Sequence, residues 1–341
     1  MNDLVETTVG HIKNALDSGK KYIIFNCPCE ALQTHPLDKV HLIIERVPNL
    51  DMSRVFYMTG TVRGSDEYQK YADAAGHKLR MNILGTISQI CNFRESIHPD
   101  FKRTVIDKEY EIKIKGKKFV CFNRVHKGHR AYILARMFEN GLVDQSYYSF
   151  QGEPNWISQL DTNYNWAPII KEQFTKNLHR LPLKLNITPE RSNPVQLAET
   201  DLVYHYNSYF SLVNETVFYK KGLARATIYC NEDGVFFTEK TARPLMLKHP
   251  FVLTASVNSL RMLRSYGFQT FHPFIDESYD LEEDDDRRLD MIVAETERLC
   301  RFTDDQWIEF QTNVKPIVEH NYRNLFEISY HGIPNLLDKF K

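Results

Sequence analysis

The chain lacks most of the features that would assign a function class at once. Its six cysteines, at positions 27, 29, 91, 121, 230 and 300, include no CxxC pair. That pattern predicts reduced thiols, mostly in the core, rather than a disulfide framework. Cys27-Pro28-Cys29 has no second pair at metal-ligand spacing, which argues against a zinc site. No apolar run approaches the ~20 residues of a membrane span. The first 21 residues, MNDLVETTVGHIKNALDSGKK, are polar and amphipathic with no signal-peptide core, so a cytoplasmic protein is expected. A net charge of −1 supplies no global field for nucleic acid or anionic lipid. The P-loop pattern GxxxxGK[ST] is missing. There are no internal repeats and no low-complexity segment.

What is present is an α/β pattern over 341 residues, with 42% hydrophobic and 26% charged composition. At ~150 residues per domain, two domains are expected. Apolar residues at helical spacing (Leu4, Val9, Ile12, Leu16) open the chain and Gly19 ends them. Strands are predicted at 21–26, 53–60 and 79–84, with helices at 37–47 and 65–75 between them. A second start follows: strand 117–123, helix 130–141, strand 146–150. Later come strand 208–216, the short strand VFF, a helix from Thr238, strand 250–256, helix 258–267 and strand 268–271. Helices are predicted over 284–301, 304–320 and 321–328. This alternation implies mostly parallel sheets, and the boundary falls near 112–118.

In such sheets ligands bind beyond the carboxyl ends of strands. Three strand-end loops therefore matter. FNRVHKGHR (122–130) places Arg124, His126, Lys127, His129 and Arg130 at a helix start. A helix start suits an anion, so cations there are costly unless they hold one. His126 and His129 could ligate a metal, but the surrounding cations oppose it. TEK (238–240) offers Thr238 as an N-cap and Glu239 to the first turn. Lys240 and Arg243 could meet a phosphate, and Pro244 could kink the helix. SYFSLVNET (208–216) reads as a strand with Glu215 at its end. The acidic run Asp284-Asp285-Asp286 reads as a helix start stabilised by the dipole rather than as a metal site. The stretch 101–130 holds ten Lys/Arg against three acids, which admits either a solvated hairpin or a phosphate-bearing partner.

FNRxxxxHR, SLVNET, TEKTxRP and SYGFQTFxxFIDESYD, in this order, resemble nucleotide-sugar glycosyltransferases of the GT-B architecture. FFTEKTARPLMLKHPFVL is similar to the donor site of the fucosyltransferase group. The set also looks like glycosyltransferase-like proteins of phages and of bacterial surface-polysaccharide loci. The resemblance spans about 120–280. It implies two Rossmann-like domains facing a cleft: an acceptor-side domain at 1–115, a donor domain at 116–300, and C-terminal helices at 301–341 packing back on the first. It also implies a metal-independent transferase with no cofactor beyond a UDP- or GDP-linked sugar as co-substrate. Lys240 and Arg130 would contact the diphosphate, Glu239 the ribose or sugar hydroxyls, and Asn123 would shape the loop. Arg124, Glu215 and Arg243 would complete the donor site.

An inverting transferase needs a general base on the acceptor. Glu30, after the first strand, is the first choice, and Glu95, His98 and Asp100 are weaker ones. The favoured acceptor is a surface glycan. Alternatives are a phage-type DNA glycosyltransferase, in the host cytoplasm, acting on a hydroxylated base through the basic stretch, and a non-catalytic nucleotide-binding or interaction module.

Overall fold

The computed structural model describes residues 2–27, 34–61, 64–85, 87–95, 109–124, 127–151, 165–185, 199–219 and 235–328. The chain divides into two compact units. The first is Met1–Gln89 with Tyr219–Phe237 and Ser329–Lys341; the second is Ile90–Phe218 with Thr238–Ile328.

In the first unit, α1 (Asn2–Asp17), β1 (Ile23–Cys27), α2 (Thr34–Ile44), β2 (Val55–Thr59), α3 (Gly64–Ala74) and β3 (Asn82–Gly85) alternate as the apolar periodicity predicts. The strands form a parallel sheet in the order β1-β2-β3. Helix α2 buries Leu37, Val40 and Ile44 against Val55 and Tyr57 of β2, and α3 adds Tyr68 and Ala72. The VFF segment forms no strand of its own. Phe236 makes a single antiparallel bridge to Thr61.

The second unit carries α4 (Ser88–Glu95) from Ile90 on, β4 (Lys117–Asn123), α5 (Gly128–Glu139), β5 (Tyr147–Phe150), α6 (Ala167–Lys176), α7 (Glu199–Tyr206) and β6 (Ser208–Asn214). They are followed by α8 (Glu239–Met246), β7 (Phe251–Thr254), α9 (Ser259–Ser265), α10 (Asp285–Cys300) and α11 (Asp304–Glu327). Its sheet is parallel, in the order β5-β4-β6-β7. Strands β6 and β7 are buried at every position, which is why neither shows the polar-out alternation of a half-exposed strand. Gly141 closes α5 at φ 66°, a left-handed conformation that suits glycine.

Three features depart from the sequence reading. The expected 115/116 boundary falls inside the second unit. Arg94 donates to the carbonyls of Leu325 (3.0 Å) and Ile328 (2.8 Å), and the Gln311 amide brackets the backbone of Lys113. Those bonds tie Arg94 and Lys113 to the last described helix, which belongs to the second unit rather than to the N-terminal domain. Second, the helices expected at 304–320 and 321–328 are one, Asp304–Glu327. Trp307, Phe310, Val314, Val318 and Leu325 keep one buried face running past Pro316, and that burial outweighs the hydrogen bond lost at proline. Third, 268–271 is not a strand. Asn321 bonds both backbone groups of Gln269 (2.7 and 2.8 Å), and Glu277 accepts from the Phe271 N–H at 2.6 Å. Side chains take the place of a neighbouring strand.

Helix α11 starts with a full capping box. Thr303 accepts from the Gln306 N–H at 3.3 Å, and Gln306 accepts from the Thr303 N–H at 2.9 Å. Thr303→Ala removes one of these bonds and should lower the stability of the second unit by about 1 kcal/mol in urea unfolding. Among the described residues, no helix is long and apolar enough to cross a membrane.

Candidate functional site

In the second sheet the chain leaves β4 to one side for β5 and later returns on the other side for β6. The carboxyl ends of β4 and β6 therefore flank a topological switch point, where open α/β sheets bind their ligands. The two strands end in paired asparagines. Asn214 Nδ2 donates to Asn123 Oδ1 at 3.0 Å, and both amides reach the Cys121 thiol. Asn123 is 1% exposed and holds β5 as well, donating its N–H to Ser149 Oγ at 3.1 Å.

The residue after Asn214 is Glu215, which is completely buried. Its carboxylate accepts from the Thr238 N–H (2.9 Å), Thr238 Oγ1 (2.7 Å), Thr241 Oγ1 (2.6 Å) and the Thr216 N–H (3.2 Å). Thr238 is the N-cap of α8, and its side chain also accepts from the Lys240 N–H. An internal carboxylate thus sits at the start of α8, where the free N–H groups and the dipole favour negative charge. TEKT is built around that carboxylate: both threonines turn their hydroxyls onto it.

Helix α5 begins on the other side of the same strand end. Lys127, its N-cap residue, donates through Nζ to the Thr216 carbonyl at 2.8 Å. Arg130 is 2% exposed, and its Nη2 donates to the carbonyls of Asn214 and Glu215, both at 3.1 Å. His129 is stacked on Phe218, and its Nε2 meets the Glu215 carbonyl at 3.1 Å, so that nitrogen carries the proton. Burial, Arg130 and Lys127 keep the His129 ring neutral, far below its usual pKa. From α8, Lys240 Nζ contacts Thr238 Oγ1 (3.1 Å), Thr216 Oγ1 (3.5 Å) and the Glu239 carboxylate (2.8 Å). Lys127, Arg130 and Lys240 therefore surround Glu215-Thr216. Burial, then the charges of Arg130 and Lys240, push the Lys127 ammonium down to about 8, against the pull of Glu215. For Glu239, burial acts upward, but Lys240 and Arg243 hold the carboxyl below its usual range.

The structure brings Asn123, Arg130, Glu215, Glu239 and Lys240 together. Arg130 is spent on backbone carbonyls, so it shapes the strand end and does not reach outward. Arg243 lies over the Phe122 ring at 5.6 Å, and Arg124 is exposed. Glu30, His98, Asp100 and His126 lie outside the described residues. Glu95, on α4, is paired with Arg94 at 2.7 Å. The sequence reading gave Lys127 no secure role and missed Asn214 and Thr216. The asparagine ending each of two apolar strands was the signal for the first of these. The ESYD tail is structural: Asp280 accepts from the N–H groups of Leu260 and Arg261 at the start of α9, and Glu277 binds Thr270 and Phe271. Asp284 caps α10 through the Arg287 N–H at 2.8 Å, as an acid at a helix start should.

Among the described residues, His41, Glu45 and His77 of the first unit bring donor atoms within 4.8 Å of one another. The two rings, however, are stacked at 3.6 Å and parallel to within 1°. In-plane lone pairs of parallel rings do not converge on one ion, so this is a packed pair. The described part of the basic stretch is largely engaged within its own unit. Lys113 pairs with Glu111, Lys117 donates to the Asp144 carbonyl and Lys118 to that of Phe302. Residues 101–108 lie outside the described residues. Comparison with family models, with curated proteins and with solved structures finds no match to this chain.

Proposed function

We propose that the second unit binds the diphosphate of a nucleotide sugar at the β4/β6 switch point, and that the protein is a metal-independent glycosyltransferase of the GT-B kind. The observation that carries the binding part is the crowding of Lys127, Lys240 and Arg130 around Thr216, with Lys127 pushed to about 8 by burial and like charge. A bound polyanion relieves that repulsion. Lys127 and Lys240 are only partly buried and are the groups that meet it, while Arg130 and Asn123 fix the strand ends beneath. Fixed cations stabilise a leaving diphosphate without a metal when they are preorganised. The sugar-transfer part rests on the resemblance of FNRxxxxHR, SLVNET and TEKTxRP to donor sites. The acceptor, with a surface glycan favoured, and the base on it are assigned to the first unit, with Glu30 as the first choice.

The test is calorimetry and thermal unfolding of the full chain with UDP, GDP, CDP and their sugar conjugates. A ligand at a hundredfold excess over Kd should add about 2.7 kcal/mol to stability. Lys127→Met and Lys240→Met should each weaken binding by about tenfold or more. Affinity should fall as pH rises through about 8, because Lys127 is protonated below that value and neutral above it. Silence across all the nucleotides, or unchanged affinity in both variants, refutes the site. Nucleotide binding with no sugar transferred or hydrolysed refutes the activity alone.

A further inference from the structure

The opposite, amino-terminal edge of the second sheet holds a cavity of about 240 Å³. Its wall comes from the segments that lead into three parallel strands: 109–115 before β4, Tyr206 before β6, and 247–249 before β7. This is smaller than the ~300–1,000 Å³ of drug-sized sites. The wall is firmly built. Gln311 holds both backbone groups of Lys113, Tyr209 Oη accepts from the Lys115 N–H at 3.0 Å, and Asn207 Oδ1 accepts from the Gly116 N–H at 2.9 Å. His249 is fixed between Ser211 Oγ and the Ser208 carbonyl, both at 2.8 Å; burial, Lys115 and His205 keep it neutral.

The charges do not balance. Three lysines line the cavity against two glutamates. Glu111 is paired with Lys113, and Glu109 with a further lysine, Lys315, each at 2.6 Å. Among the described residues Lys115 Nζ has neither a hydrogen bond nor an ion pair; it lies 5.8 Å from the centre of the Tyr110 ring. Tyr110 is 8% exposed, and its hydroxyl has no partner among the described residues. Lys248 is held in the left-handed region at φ 52°, with its ammonium 4.5 Å over the Tyr322 ring. That conformation ends α8, with the His249 N–H donating back to the Pro244 carbonyl at 2.9 Å. Burial and the Lys113 charge push the Lys115 ammonium down to about 7. Tyrosine rings and Leu247 make up the apolar part of the wall.

We propose that this cavity binds a small organic anion, a carboxylate or phosphate on a flat apolar body, through Lys115. The site is separate from the switch point and does not rest on the nucleotide reading. The experiment is calorimetry of the full chain with benzoate and phenyl phosphate, with benzyl alcohol and benzylammonium as neutral and cationic controls. At least one anion should bind while both controls fail. Lys115→Met should weaken the anion by about tenfold or more, and Lys115→Arg should retain most of the affinity. Both variants should keep wild-type circular dichroism and wild-type nucleotide binding, since neither touches that site. Binding of benzyl alcohol as tight as that of benzoate, no binding of either anion at millimolar concentration, or Lys115→Met with unchanged affinity overturns the proposal.

Discussion

Glu215→Ala should destabilise the second unit by about 3–5 kcal/mol, the usual cost of removing one partner from a buried charged network. Two consequences add. The Thr238 N–H and the hydroxyls of Thr238 and Thr241 lose their acceptor in a buried site, and the half-buried Thr216 N–H loses it too. Lys127 and Arg130 also lose the carboxylate that favours their charged forms. Glu215→Gln separates these effects. Its oxygen still accepts from one side, and the Thr238 hydroxyl can turn to accept from the new amide. The Thr216 N–H then faces a donor, and the negative charge is gone. Gln should therefore cost less than Ala. Urea unfolding followed by amide exchange at β6 reads both variants. A loss below about 1 kcal/mol for Ala would mean that water satisfies these donors.

Trp307→Ala should cost a similar about 3–5 kcal/mol, the range for a fully buried large aromatic. Trp307 is completely buried and stacks on Tyr209 at 4.0 Å and 7°, with Phe310 and Phe302 at its edges. Lys118 Nζ lies 5.8 Å over its ring. Alanine leaves a void bordered by these rings, and they cannot all close in because Tyr209 also holds the Lys115 N–H. Trp307→Phe should be much milder. The indole N–H has no acceptor among the described residues, so losing it removes no hydrogen bond. Denaturation midpoints of the two variants provide the check; equal losses would place the energy in that N–H.

Legibility in the sequence followed period and burial. KKFVCFN was predicted as a strand at 117–123, and it is one residue for residue. Its apolar run is long and a polar loop follows it. FQTF carries the same apolar signal, yet Asn321, 52 positions beyond Gln269, and the nearby Glu277 decide its conformation. The division expected after position 320 does not occur, because the buried face of α11 runs through Asn321 to Leu325. At the site, the residue types were legible but their assignment was not. Arg130 and Lys127 are both cations at one helix start. Only the three-dimensional path of β6 shows that Arg130 is buried under the carbonyls of Asn214 and Glu215 while Lys127 stays at the edge. Lys115 gave no sign at all, since its setting depends on His249 and Tyr206, each more than ninety positions away.

The grip of Gln311 on Lys113 spans 198 positions, and that of Asn324 on Tyr266 spans 58. On a ribosome, the second unit cannot complete itself until the helix carrying Gln311 and Asn324 has emerged. The stretch leading into β4 emerges long before the helix that brackets it. That interval leaves β4 and β6 awaiting cover, and it is when the nascent chain most needs a chaperone.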